Sequence, residues 1–273
     1  MVTPIAHELH MRSVTFQGKE VAVCSDAPEV VAGVENMFSA MLATAATRAV
    51  GQIKVCRNGG PYHITGNAVG LGDGSLADVL RCVRFSAIQM LIQARPDLLW
   101  LHAGAAGSGH RAMLLTGARG RGKSTLVTGL CARGWTYLSD DVVPLDPRTS
   151  RVVPFPITPA KRVFPGQEMP ADWLRKPTKV EVTLTAEAIG RQPVPLHALV
   201  FPRYALDVPA ELSPCPPAEA VVALLQQCWN FADHRDAAVR YLCELVERLP
   251  VFWLSFSDGD QAADLLIRSG LLG

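Results

Sequence analysis

The chain lacks any long apolar run: nothing in its 273 residues approaches the roughly 18 consecutive apolar residues that a membrane-spanning helix needs. Its opening segment, Met1-Val2-Thr3-Pro4-Ile5-Ala6-His7-Glu8, has no basic stretch followed by an apolar one, so it does not read as a secretory leader. Both absences lead to the expectation of a cytoplasmic protein without membrane contact. A charge excess is missing too. Twenty-six basic residues face 25 acidic ones, for a net charge of +1, which removes any global electrostatic reason to bind nucleic acid or anionic lipid. The seven cysteines, at 24, 56, 82, 131, 215, 228 and 243, are odd in number and scattered, with no C-x-x-C pair. That pattern argues against a zinc site or a redox dithiol and fits reduced, mostly buried thiols. Histidines 7, 10, 63, 110, 197 and 234 show no ligand spacing. No internal repeat or low-complexity tract interrupts the chain.

What is present is a globular composition, 49% hydrophobic and 19% charged, enough for one large core or two modest ones. Short β-type runs at Val14–Val23 and Ile53–Thr65 and helical spacing at Val34–Ala49 and Leu76–Ala94 describe an α+β amino-terminal lobe, residues 1–97. Leu98-Leu99-Trp100-Leu101-His102-Ala103 then resumes as an apolar strand after Pro96 and opens a second domain, residues 98–273. Further strands are expected at Thr136–Ser139, Val142–Asp146, Pro195–Pro202 and Val251–Phe256. Helices are expected near Ala218–Phe231, Ala237–Leu249 and Gln261–Ser269. The stretch from Pro147 to Pro177 is rich in Pro, Arg and Lys and reads as irregular, ligand-facing chain, the best lid candidate.

The strongest motif is Gly117-Ala118-Arg119-Gly120-Arg121-Gly122-Lys123-Ser124-Thr125, a complete G-x-x-x-x-G-K-[ST] match. It follows the apolar run Ala112–Thr116 and opens a helix, Ser124–Arg133, with Leu126, Val127, Leu130 and Cys131 on one face. Gly134 stands where a left-handed cap is expected. Small residues let backbone N–H groups turn inward around phosphate oxygens at the positive end of that helix. Lys123 is placed to neutralise β and γ phosphates, and the Ser124 hydroxyl to ligate Mg²⁺. Downstream, Asp140-Asp141 ends a strand. Adjacent carboxylates repel in low dielectric, so such a pair belongs where a divalent cation or a proton is available. One would serve the metal and the other the proton of an attacking hydroxyl.

Leu101-His102-Ala103-Gly104, Gly117–Thr125 and Arg133-Gly134-Trp135-Thr136-Tyr137-Leu138-Ser139-Asp140-Asp141 together resemble the catalytic core of the bacterial HPr kinase/phosphorylase family. There a His-Gly strand, a Walker A loop, an Arg-Gly turn and an Asp-Asp pair occur in the same order at closely similar spacing. Residues 98–150 carry the resemblance, and Pro154-Phe155-Pro156 and Leu199-Val200-Phe201-Pro202 extend it. The more distant branch that it resembles is that of HPr-kinase-related proteins in bacterial peptide-modification clusters, including kinases of lasso-peptide precursors.

The resemblance implies an α/β, phosphoenolpyruvate carboxykinase-like P-loop fold, use of ATP and Mg²⁺, and phosphoryl transfer to a serine hydroxyl, on a peptide or protein or else on a small metabolite such as free serine; a nucleotide-binding regulatory module and an ATPase are the alternatives. By position it makes Asp140 the proton-handling carboxylate and Asp141 the metal-side one, with His102 supporting them. Lys161 and Arg203 become candidate substrate or phosphate contacts. Two departures matter. Thr125 stands where the family usually has Glu, and the segment associated with removing phosphate from HPr is not recognisable, so kinase activity without the phosphorylase half is expected. The family's hexameric assembly implies a homo-oligomer, although its interface residues are not recognisable in this chain.

Overall fold

Side chains alternate across a strand and recur every 3.6 residues along a helix, and the chain applies both periods in two compact units, residues 1–96 and 97–273. The computed structural model describes residues 9–43, 48–57, 60–68, 73–163 and 178–272.

In the first unit β1 (His10–Phe16), β2 (Lys19–Ser25), α1 (Pro28–Met37), β3 (Gly51–Arg57), β4 (Tyr62–Gly66), β5 (Asp73–Gly74) and α2 (Leu76–Ala94) form a five-stranded sheet in sequential order with two helices. The β-run expected over Val14–Val23 is a hairpin: Gln17 and Gly18 take φ of +48° and +74°, and the chain reverses there. The helix expected over Val34–Ala49 is shorter. α1 ends at Met37, and a 3-10 turn over Ser39–Met41 carries Met41 into the core instead. Residues 44–47 of that expectation lie outside the described residues. α2 matches its expected span because its signals are local. Ser75 and Asp78 exchange capping hydrogen bonds at its start, and Val79, Val83, Ala87 and Leu91 bury one face.

The second unit contains β6 (Leu99–Leu101), β7 (Ala103–Ser108), β8 (Arg111–Thr116), α3 (Lys123–Cys131), β9 (Thr136–Ser139), β10 (Val143–Asp146), β11 (Arg151–Val152), β12 (Ala160–Val163) and β13 (Thr178–Glu181). It continues with β14 (Val194–Tyr204), β15 (Glu211–Pro214), α4 (Pro217–Gln226), α5 (Phe231–His234), α6 (Asp236–Arg248), β16 (Val251–Phe256) and α7 (Gly259–Arg268). Nine strands form one mixed sheet in the order β6-β10-β11-β14-β8-β7-β9, with β16 beside β14 and β15 on β16. Alternation sorts the residues onto two faces. Met113 and Leu115 of β8 and Ala198 and Val200 of β14 pack with Leu126, Val127 and Leu130 of α3 and Ala262, Ala263 and Leu266 of α7. Leu114, Leu199 and Phe201 face Leu224 of α4 and Leu242 and Leu245 of α6 on the other side. The result is a three-layer α/β/α unit. No helix among the described residues is long and apolar enough to cross a membrane.

The Pro147–Pro177 stretch departs from its expectation as irregular, ligand-facing chain. Val152, Val153, Phe155 and Ile157 are buried, and Phe155 donates its N–H to Leu138 O at 2.9 Å while meeting Trp100 edge-on. These residues are drawn into the core, so the described part includes packed structure. Residues 164–177 lie outside the described residues.

Candidate active site

Strand direction gathers the site. β8, β14 and β16 run parallel, and β7 runs antiparallel to both β8 and β9. The ends of β8, β9 and β14 and the start of β7 therefore share one edge of the sheet. His102 precedes β7, Gly117 follows β8, Asp140-Asp141 follow β9, and Arg203 lies at the end of β14. Segments far apart in sequence meet because each leaves the sheet on the same side.

The loop between β8 and α3 is bent through three left-handed glycines, Gly117 at φ +146°, Gly120 at +87° and Gly122 at +91°. At Gly122 only hydrogen fits: a Cβ would stand 2.6 Å from Phe256 Cζ. Gly117 lies beside the end of β14, where a Cβ would be 3.9 Å from Pro202 O. Lys123, 6% exposed, spans the loop and donates from Nζ to Gly117 O at 2.6 Å and Ala118 O at 3.1 Å. Arg119 and Arg121 are exposed. Thr125 is also exposed, and its Cγ2 lies against Gly259, where a Cβ would come within 2.7 Å.

Ser124, the next residue of α3, donates from Oγ to Asp140 Oδ1 at 3.0 Å. This contact brings the carboxylate pair to the loop. Asp140 is 5% exposed, and Gly104 lets β7 close on α3 beside it. A Cβ on Gly104 would stand 2.6 Å from Val127 Cγ2 and 3.7 Å from Asp140 Oδ1. Burial, together with the Asp140 charge, pushes the nearby Cys131 thiol up to about 12. Asp141 differs. Its backbone takes φ +76°, a left-handed conformation that Asp tolerates better than most residues, and its side chain is 41% exposed.

His102 meets Asp141 twice through Nδ1, at 2.8 Å to the backbone carbonyl and 3.3 Å to carboxylate Oδ1. A carbonyl can only accept, so Nδ1 carries the hydrogen and donates. The pair thus splits into a closed member on Ser124 and an open member on His102. Arg203 places its guanidinium carbon 3.4 Å from the centroid of the Trp253 ring, a cation–π contact at the same sheet edge. Lys161 lies in β12, which neighbours α3; its side chain is outside the described residues. Sequence reasoning assigned no role to Gly104, Phe256 or Trp229. Gly104 stood within a quoted motif, but its close approach to α3 is a fact of packing that spacing does not carry.

Fit to a nucleotide and a divalent cation can be judged on these atoms. The left-handed glycines bend the loop onto the start of α3, where the N–H groups of a helix start suit phosphate oxygens, and a hydroxyl beside carboxylate oxygen is a hard donor set suited to Mg²⁺. Among the described residues no group of three or more His, Cys, Asp or Glu side chains could hold a metal ion alone. A Mg²⁺ here would need oxygens from phosphate and water as well.

No family of known proteins matches the sequence, and no curated protein does. Among solved structures, the HPr(Ser) kinase/phosphatase from Coxiella burnetii is similar at 14% sequence identity and a TM-score of 0.34, over 63% of this chain and 96% of that one. At that level the likeness assigns no family, and the site's chemistry is read from its own side chains.

Proposed function

We propose that the chain is an ATP- and Mg²⁺-dependent kinase that transfers the γ-phosphoryl group to a serine hydroxyl on a peptide or protein, with a lasso-peptide precursor as the favoured type of acceptor. One observation carries the reading. The Ser124 Oγ to Asp140 Oδ1 hydrogen bond joins the phosphate loop to a carboxylate pair, and a protein that only bound nucleotide would have no use for the second, open carboxylate.

In this reading the N–H groups of Gly117–Ser124 and the Lys123 ammonium hold the β and γ phosphates. Ser124 and Asp140 would hold the metal, which would supply positive charge to offset the charge developing in transfer. Asp141 is the carboxylate that an external hydroxyl can reach, because it is open where Asp140 is buried. The hydroxyl oxygen attacks the γ phosphorus, the bond to the β–γ bridging oxygen breaks, and the hydroxyl proton passes to the carboxylate of Asp141, the residue whose carbonyl accepts from His102 Nδ1–H. This order reverses the roles that the resemblance suggests for the two aspartates; burial and the Ser124 contact are the grounds.

Incubation with γ-labelled ATP, Mg²⁺ and serine-containing acceptors tests the proposal. Label on an acceptor is the expected outcome, lost in Lys123→Ala. Asp141→Asn should abolish transfer while sparing nucleotide binding, and Asp140→Asn should weaken the response to Mg²⁺. Free phosphate as the sole product would make the protein a hydrolase, and nucleotide binding with no turnover a regulatory module. Wild-type transfer by Asp141→Asn would overturn the assignment of the proton acceptor.

A further inference from the structure

His102 stands at a bend between β6 and β7, and its ring is contacted from a second direction besides Asp141. The segment after α4 is hydrogen-bonded along the outer edge of β6 like an added strand. His102 N–H donates to Gln227 O at 2.7 Å and Trp229 N–H to Trp100 O at 2.8 Å, and Leu101 bridges Cys228. Asn230, 5% exposed, locks the end of the segment: its Oδ1 accepts from Trp100 N–H at 3.0 Å and its Nδ2 donates to Leu98 O at 2.9 Å. Held this way, the Trp229 ring lies nearly parallel to the imidazole, with 6.2 Å between centroids and 12° between planes. That is an offset stack, a favoured aromatic arrangement.

Trp229 is 40% exposed, more than a ring present only to fill the core would be. The aromatic stack and the Nδ1 contacts to Asp141 approach the imidazole separately, and together they leave it one orientation. We infer that Trp229 is a positioning residue, which fixes the His102 ring so that Nδ1–H, donated to the Asp141 carbonyl, holds Asp141 and its open carboxylate in place for the acceptor hydroxyl. The inference rests on the kinase reading for its catalytic consequence but not for the stack itself. A group misplaced by an ångström in a transfer site loses on the order of a hundredfold in rate, so loosening one of two restraints should cost less than that.

The test uses the full chain and separates the two readings. In ¹H–¹³C spectra of protein labelled at histidine, the His102 ring resonance is assigned by its loss in His102→Gln. Trp229→Leu should displace that resonance, as the indole ring current is removed, and leave the other described histidines where they are. In the transfer assay Trp229→Leu should lower kcat by about tenfold with KM for ATP unchanged, and Trp229→Phe, which keeps an aromatic face, should restore most of it. In a His102→Gln background Trp229→Leu should cost nothing further, since it acts through the lost ring. Additive losses, or a raised acceptor KM with the His102 signal unmoved, would overturn the inference. So would a displaced signal with unchanged kcat, which leaves the kinase reading intact. Absence of transfer by the wild-type protein, with the ring-current shift still present, would instead count against the kinase reading.

Discussion

Replacing Gly122 by alanine is the sharpest probe of the loop, because two separate costs can be worked from the coordinates. The residue sits at φ +91°, and a left-handed conformation costs an L-residue roughly 1–2 kcal/mol. The added methyl would also stand 2.6 Å from Phe256 Cζ. That ring is 1% exposed and packed edge-on against Tyr204 at 5.8 Å, so it cannot turn away, and forcing a methyl into such packing costs typically 1–3 kcal/mol. The expected destabilisation is the sum, about 2–5 kcal/mol. Gly134 supplies the control, since at φ +87° an added Cβ meets nothing within 4 Å. Gly134→Ala should show only the conformational part, about 1–2 kcal/mol. All five tryptophans lie beyond residue 97, so urea unfolding followed by tryptophan emission reports the second unit alone. Shortening the ring by Phe256→Leu should recover part of the extra cost in the double variant. If Gly122→Ala costs no more than Gly134→Ala, Phe256 does not pack closely against the loop.

Three further outcomes follow from the same geometry. Burial raises Cys131 to about 12, and Cys215 and Cys228 to about 11; at pH 8 a thiol reagent should therefore modify Cys56, Cys82 and Cys243 first, as mass spectrometry of the native protein would reveal. Arg133 bridges α3 to Asp260 and Asp264 of α7, and its hydrogen bond to Asp264 holds that carboxyl below its usual value. A lowered carboxylate stabilises above its unfolded value and ceases to as pH falls. The stability difference between wild type and Arg133→Met, measured by thermal unfolding, should accordingly be largest near neutrality and shrink below about pH 4. Asn230→Leu removes two buried hydrogen bonds to β6 and its flank and should cost about 2–4 kcal/mol by urea unfolding.

How much was legible depended on whether a signal was local. The helix over Leu76–Ala94 could be read because its cap and its apolar stripe lie within its own span. The loop at Gly117–Thr125 could be read because strand, turn and helix follow one another. Val14–Val23 is strand as expected, and the structure adds the reversal at Gln17-Gly18, which divides it into β1 and β2. Pro147–Pro177 misled: prolines and cations suggested exposed chain, yet Val153, Phe155 and Ile157 pack between them.

The amino-acid order by itself determined the loop, the lysine and serine that open α3, and the adjacency of Asp140 and Asp141, because each is a relation between chain neighbours. Only the tertiary structure decided that Ser124 touches Asp140 while His102 touches Asp141, and that one carboxylate is closed and the other open. It also decided that Trp229 lies against His102. Those relations follow from which strand ends share an edge of the sheet and which segment hydrogen-bonds along β6. Contacts of that kind join residues distant in sequence, and no periodicity within a window of chain encodes them.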